Sequence, residues 1–561
     1  MEYIVLVLTI FAILALIMLK GWYDERKRKA DFVKWLRENY GTLREREEYR
    51  PEEMEKIARY YRVHEAEGFH IDDITWNDLG MDKVFQRMNH TYSAAGEEYL
   101  YYMLRTPVQD TGQVETMERQ IQYFSANGEK RVEYQTLFAQ IGKTGKYSIY
   151  DYLHYLGLLG ERSSLKHYLG DLAIVAALLL MFGSVQVGIL ALTGAICYNM
   201  IAYFKEKGEI DPYITSFGYI FRLLENVREM EKLPVPVFAE ELAELTYCRK
   251  KMSKFKSGSY ILMSPARMGS SGNPLEMLLD YVRMVFHVDL IKFNNMLAEV
   301  RNNSAGIDRM ITILGYMESV IAIGCYRASM DTWCLPQFGA GNGLKIEEGY
   351  HPLIDHPVKN SIMTQRGALL TGSNASGKST FLKTVAINAL MAQTVHTCPA
   401  KSYSGGLYRI LSSMALKDDL ESGDSYYIVE IKSLKRILNQ LEKEGNPVLC
   451  FVDEVLRGTN TVERIAASTQ ILKSLAGKKA LCFAATHDIE LTHLLEPYYN
   501  NYHFEEEIQE KDVAFNYQLK KGRATTRNAI KLLGVMGYED NIIKEAERLA
   551  EGFLESGSWM G

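Results

Sequence analysis

Residues 372–379 read Gly-Ser-Asn-Ala-Ser-Gly-Lys-Ser, the pattern G-x-x-x-x-G-K-S, and nothing else in this chain narrows its fold as far. Such a loop works only between a buried strand and the first turn of a helix. The flanks fit: residues 368–370 are a short apolar run, and a helical pattern begins near Lys378. The glycines let backbone N–H groups curl around a phosphate chain, and the helix N-terminus adds positive potential. This spacing assigns Gly372, Ser373, Asn374, Ala375, Ser376, Gly377, Lys378, Ser379 and Thr380 to the phosphates. Lys378 is expected on the β- and γ-phosphates and Ser379 on Mg²⁺, so the ligands implied are ATP and Mg²⁺.

Two further apolar runs end in residues that complete such a site. Residues 448–454, Val-Leu-Cys-Phe-Val-Asp-Glu, read as a strand that projects Asp453 toward the metal and leaves Glu454 to polarise the attacking water. Residues 484–488 end a third strand and place Thr486 and His487 where a side chain can sense the γ-phosphate. From about residue 336 onward glycine is frequent and short apolar runs alternate with helical stretches, the texture of a parallel α/β sheet. ATPases of the broad ABC type finish each site with a Ser-Gly signature supplied by a second subunit. Two stretches qualify: residues 402–406, Ser-Tyr-Ser-Gly-Gly, and residues 417–430, KDDLESGDSYYIVE.

The first 335 residues have a different character. Residues 30–165 and 206–335 are helical in pattern, with few Gly or Pro. Residues 3–19 carry no charge and span ~26 Å as a helix, near the lower limit for crossing a bilayer. Trp22, Tyr23 and the cluster Arg26-Lys27-Arg28-Lys29 follow, which favours a retained anchor with these charges in the cytoplasm over a cleaved leader. A second uncharged run, residues 172–204, has basic residues on both sides and Gly183-Ser184 inside it, the pattern of a helical hairpin. About three transmembrane helices are therefore expected, in a multi-pass protein of the cell membrane with its nucleotide site in the cytoplasm. The net charge of −6 argues against a chain that is basic throughout, and seven scattered Cys without a C-x-x-C pair argue against a disulfide framework or zinc site.

In order and spacing, "TGSNASGKST", "DDLESGDSYYIVE", "VDEVLRGTNT" and "ATHD" resemble the ATPase domain of the MutS DNA mismatch-repair family. The resemblance selects between the two signature candidates: it implies that Ser422, beside Gly423 and with Ser425 close by, reaches the γ-phosphate of a partner chain. It also places Asn374 at the family's P-loop asparagine, and implies catalytic roles for Glu454 and His487 and a metal role for Asp453. Residues 88–108 resemble the start of the family's helical core, and residues 349–353 the segment leading into its ATPase, with Tyr350 in place of the usual arginine. The fold implied is α plus α/β: an anchor at 1–20, a helical core region at 21–168, a transmembrane hairpin at 169–205, a helical lever at 206–335 and a P-loop ATPase domain at 336–561. A homodimer follows from the signature, and DNA is the client by family analogy. The family's mismatch-reading domain has no counterpart before the core, and Phe238-Ala239-Glu240, which has the spacing of its reading residues, lies far inside the chain. The alternative client is a protein or lipid at the membrane. The basic cluster at 249–256 suits a phosphate backbone or, at least as well, a solvated helix face near a membrane with anionic lipid.

Overall fold

The structure is a computed structural model. It describes residues 2–556 except 44–47, 66–67, 257–280, 340, 342, 374–375, 415–425, 477–479, 510–511, 525–529, 531–532 and 534–536. Among the described residues, the helices on which the argument turns are α1 (Glu2–Glu38), α2 (Asp73–Leu79), α3 (Ala94–Arg105), α4 (Leu165–Leu180), α5 (Val185–Met230), α6 (Ser304–Ala328), α7 (Lys378–Val395), α8 (Tyr426–Leu441) and α9 (Thr461–Ala476).

The helical region is built on α3 and α6. Ser93 caps α3 by accepting the Gly96 N–H, and the helix contains no β-branched residue. α6 is buried along most of its length. The two pack so closely that a Cβ added at Gly315 would fall 2.5 Å from Tyr99 Cβ and 2.6 Å from the Ala95 carbonyl oxygen. Glu318, from the middle of α6, accepts the Tyr92 and Ser93 N–H groups at the α3 N-terminus, at 2.5 and 3.1 Å. A buried carboxylate thus ties the start of one helix to the side of the other.

Both apolar sequence runs are the outer ends of helices that continue into this region. α1 carries residues 3–19 without a break into its charged half, where Leu36 is buried and Phe32 meets Tyr92 edge-on at 5.6 Å. α4 and α5 form the expected hairpin, turning at residues 181–184. Among the described residues one segment, Val185–Ile210, is long and apolar enough to cross a membrane, and only 17% of it is buried. α4 has 16 residues, short of the ~20 that an upright span needs. α5 runs straight through residue 205, so the hairpin and the helical lever are not separate units. Its far half buries Phe217, Ile220, Leu223 and Val227 in the core.

Among the described residues twelve strands follow: β1 (Pro336–Phe338), β2 (Leu344–Gly349), β3 (Asn360–Thr364), β4 (Gly367–Thr371), β5 (Ser402–Gly405), β6 (Arg409–Ser413), β7 (Val448–Asp453), β8 (Ala480–Ala485), β9 (Tyr499–His503), β10 (Glu506–Gln509), β11 (Asp512–Phe515) and β12 (Lys520–Lys521). Six make the main sheet in the order β12-β9-β4-β8-β7-β6, parallel except for β12. Strand alternation sends Leu370, Phe451 and Phe483 to one face, with α7, and Leu369, Cys450 and Val452 to the other, with α8 and α9. The first face shares one apolar core with the helical region, from Ile57 to Phe504. The change of texture near residue 336 is therefore not a gap in the packing. At the sheet edge, α2 covers β6: Asp78 accepts the Ser412 hydroxyl at 2.7 Å and the Met414 N–H at 2.9 Å, and Thr75 accepts the Ser412 N–H at 3.1 Å.

Candidate nucleotide site

The site forms where β4, β8 and β7 end side by side. Because these neighbours are parallel, their C-terminal ends share one edge of the sheet, the edge where open α/β sheets bind ligands. β4 delivers the glycine loop. Gly372 has φ +148°, and a Cβ there would lie 2.9 Å from both the Phe504 carbonyl and Ser376 Oγ. Gly377, at φ +102°, opens α7. Lys378 folds back to donate to the carbonyls of Gly372 and Ser373 at 2.9 and 2.7 Å.

β7 brings the carboxylates. Asp453 Oδ2 accepts the Ser379 hydroxyl at 2.5 Å, so the two residues expected to share a metal already touch. Among the described residues, Asp453 Oδ1 is buried with no hydrogen-bond partner. A buried carboxylate oxygen left in this way suits a cation, so the donor set fits Mg²⁺. Glu454 follows at φ +56°, its N–H held by the Ala485 carbonyl at 2.9 Å. One carboxylate oxygen lies 2.8 Å from His487 Nε2, and the other pairs with Arg457. Burial works against its ionisation, but the His487 hydrogen bond and the charges of Arg457, His487 and Lys378 hold its pKa below the ordinary value. Glu454 is thus a carboxylate at neutral pH. Thr486 is buried and its N–H bonds the Leu370 carbonyl at 2.9 Å, which pins β8 to the strand before the glycine loop.

Ser376, Gly377, Lys378, Ser379, Thr380 and Glu454 line one cavity of about 550 Å³. Its other wall was not foreseen from the sequence: His351, Ile354, His356, Pro357 and Tyr517. Burial pushes the His351 pKa down to about 4, with Lys383 adding to it, so the ring is neutral. Tyr517, at φ +52°, is fixed by Asn360, which donates to its carbonyl at 2.9 Å. These residues lie 15 to 138 positions from the glycine loop, and no spacing rule connects them. The left-handed backbone at Tyr517 is invisible in a sequence, because tyrosine rarely adopts it. Asn374, Ala375, Ser422, Gly423 and Ser425 lie outside the described residues.

Residues 368–553 match the family described as MutS domain V. The chain is also similar to MutS protein homolog 4 of Homo sapiens, 26% identical over 63% of this chain and 38% of that protein. It is similar to the DNA mismatch repair protein MutS of Aquifex pyrophilus, 32% identical over 42% of this chain and 29% of that protein. MutS protein homolog 4 of Mus musculus is 26% identical over 62% of this chain and 36% of that protein. The chain spans about a third of the length of these relatives.

Three other sequence features find their places in and around the matched segment. Residues 402–406 are not a signature loop: Ser402–Gly405 is strand β5, paired with β1 and β2, with Tyr403 buried. Phe238 is fully buried and meets Phe124 at 5.3 Å, so it is core and not a reading residue. In the basic cluster, Arg249 is held at two points by Glu231, at 2.7 and 2.9 Å, which neutralises part of its charge.

Proposed function

We propose that this chain binds and hydrolyses ATP with Mg²⁺, as a homodimer of the MutS type. The observation that carries the reading is the contact of Ser379 with Asp453 beside an ionised Glu454, at the mouth of a cavity lined by the glycine loop. Lys378 and the N-terminus of α7 hold the phosphates. Asn374 joins them from the loop. Ser379 and Asp453 hold the Mg²⁺, which offsets phosphate charge when bound. Glu454 takes the proton of the attacking water, and His487 stands beside it as the sensor of the γ-phosphate. His351, Pro357 and Tyr517 offer flat and apolar surface for the base. Ser422, with Gly423 and Ser425, completes the site of the partner chain.

The client in this reading is DNA, because all three similar proteins carry the MutS name and one of them the words DNA mismatch repair. The chain is membrane-anchored through α1 and the α4–α5 hairpin, with the MutS domain V in the cytoplasm. A second reading, an ATP-driven switch acting on a protein or lipid client at the membrane, is favoured by one observation. α5 is a single 46-residue helix whose exposed apolar half continues into the packed core, so a movement of the core moves the hairpin. One experiment separates the two: DNA binding by the detergent-purified chain across a salt series, with and without ATP. Binding that falls steeply with salt supports phosphate contacts. No binding at low salt removes DNA and leaves the second reading.

A further inference from the structure

The loop that presents Glu454 is under backbone strain. Glu454 has φ +56° and Leu456 φ +59°, two non-glycine residues in the left-handed region within three positions. Each is unfavourable for an L side chain and persists only where the surroundings over-determine it. Three hydrogen bonds do so here. The Glu454 N–H bonds the Ala485 carbonyl, and Ser468 donates to the Val455 carbonyl at 3.1 Å. The third comes from another quarter: Glu430 on α8, 2% exposed, accepts the Leu456 N–H. It is the one charged side chain among the three. Burial raises its pKa, and the N–H groups of Leu456 and Arg457 oppose that rise.

α8 also touches the loop directly. A Cβ added at Gly458 would lie 3.0 Å from Tyr427 Cβ, on the first turn of α8, so any side chain there would have to push Tyr427 aside by a few tenths of an ångström. α8 begins at Tyr426, immediately after residues 415–425, which include Ser422 and Gly423. The helix that leaves the signature stretch and the loop that carries the catalytic carboxylate are therefore joined by a buried hydrogen bond and a close packing contact.

We propose that Glu430 is a positioning residue for hydrolysis: it holds the loop of Glu454 and Arg457 against α8, and so ties the carboxylate to the helix that follows the signature. This rests on the reading of Glu454 as the base. Without Glu430 the Leu456 N–H is buried unpaired and the loop can relax away from its strained form. A displacement of the base by about 1 Å can cost about a hundredfold in rate.

The test measures ATP turnover and nucleotide affinity of the full chain in detergent for Glu430→Ala, Glu430→Gln and Glu454→Gln, and for Glu430→Ala combined with Glu454→Gln. Glu430→Ala should lose between about tenfold and a hundredfold in kcat, with KM and nucleotide affinity within about twofold of wild type. Glu430→Gln keeps the shape and one acceptor, and should lose only about threefold. Because Glu430 acts through Glu454, adding Glu430→Ala to Glu454→Gln should change the residual single-turnover rate by less than about twofold. If it lowers that rate as strongly as it lowers the wild type, the role is general stability and the proposal is overturned. If Glu430→Ala does not fold, Glu430→Gln decides: a partial loss of kcat at unchanged KM supports the proposal, and a wild-type kcat ends it. A wild-type rate in Glu454→Gln would instead sink the assignment of the base, a separate failure.

Discussion

Arg327, at the end of α6, grips Glu118 at two points inside the protein, Nη1 to Oε1 at 3.0 Å and Nη2 to Oε2 at 2.7 Å. The same guanidinium donates to Thr397 Oγ1 and the His396 carbonyl, both at 2.8 Å, just past the end of α7. His396 Nδ1 lies 3.0 Å from Glu118. This buried network fastens α6 to the exit of the P-loop helix, which makes it a mechanical joint between nucleotide and helical region.

Removing one partner of this joint should be costly. Arg327→Ala leaves a buried carboxylate without its cation, a change that typically destabilises by about 3–5 kcal/mol. The pair also sets an acid limit. Burial pushes the Glu118 pKa up, but the hydrogen bonds from His396 and Arg327 and the charge of Arg327 outweigh it and hold it at about 2. A depressed carboxylate contributes stability above its unfolded pKa and loses it as pH falls toward the folded value. Denaturant unfolding between pH 6 and pH 3 should show a loss of roughly 2 kcal/mol in the wild type that is absent in Glu118→Gln. Parallel curves for the two proteins would dismiss this joint as the source.

Glu318 should behave with the opposite sign. Burial pushes its pKa up to about 7, against the hydrogen bonds from Ser93 and Tyr92 that favour the charged form. A carboxyl raised in the folded state contributes stability that is complete below the unfolded pKa and is lost as pH rises through the folded one. Between pH 5 and pH 8 the wild type should therefore lose stability relative to Glu318→Gln. A difference between the two that is constant over that range would show Glu318 to be ionised throughout.

At the nucleotide site, binding and chemistry should separate. Glu454→Gln keeps every phosphate and metal ligand and removes the base, so ATP should bind while hydrolysis falls about 10²–10⁴-fold. Lys378→Ala removes a charge-assisted contact and should weaken ATP binding by roughly tenfold or more. Equilibrium binding of a labelled nucleotide, set beside phosphate release, reads both. Wild-type hydrolysis in Glu454→Gln would move the base elsewhere.

The partner signature can be tested by mixing. Lys378→Ala and Ser422→Arg are each expected to be inactive alone. In a mixed dimer with sites built across the two chains, one site takes both lesions and the other has an intact P-loop facing an intact signature. Random exchange makes about half the dimers mixed, with one good site of two, so activity should recover to roughly a quarter of wild type. ATP-dependent closure of the dimer, followed by crosslinking, checks the same site if the two are tightly coupled. Recovery of neither, in a sample shown to contain heterodimers, would return residues 417–430 to an ordinary polar loop.

The local parts of this protein were legible in its sequence. A strand, a glycine turn and a helix at 367–395, a buried strand ending in Asp453 and another ending beside Thr486 are each written in adjacent residues, because glycine, charge and apolar runs have local backbone consequences. Even the contact of Ser379 with Asp453 follows once the parallel pattern puts two strand ends on one edge. The hairpin around residue 183 was legible for the same reason, as a length of uncharged chain between basic flanks. What only the tertiary structure decided are contacts between residues far apart along the chain. Tyr517 and His351 reach the cavity because separate loops converge on it. Residues 402–406 became a strand because β1 and β2 paired with them, whatever their composition suggested. The unbroken course of α5 from apolar surface to core, and the hold of Glu430 on Leu456, depend on which faces meet after collapse. Sequence spacing fixes what one element can present; the choice of neighbour is made by the packing of all of them at once.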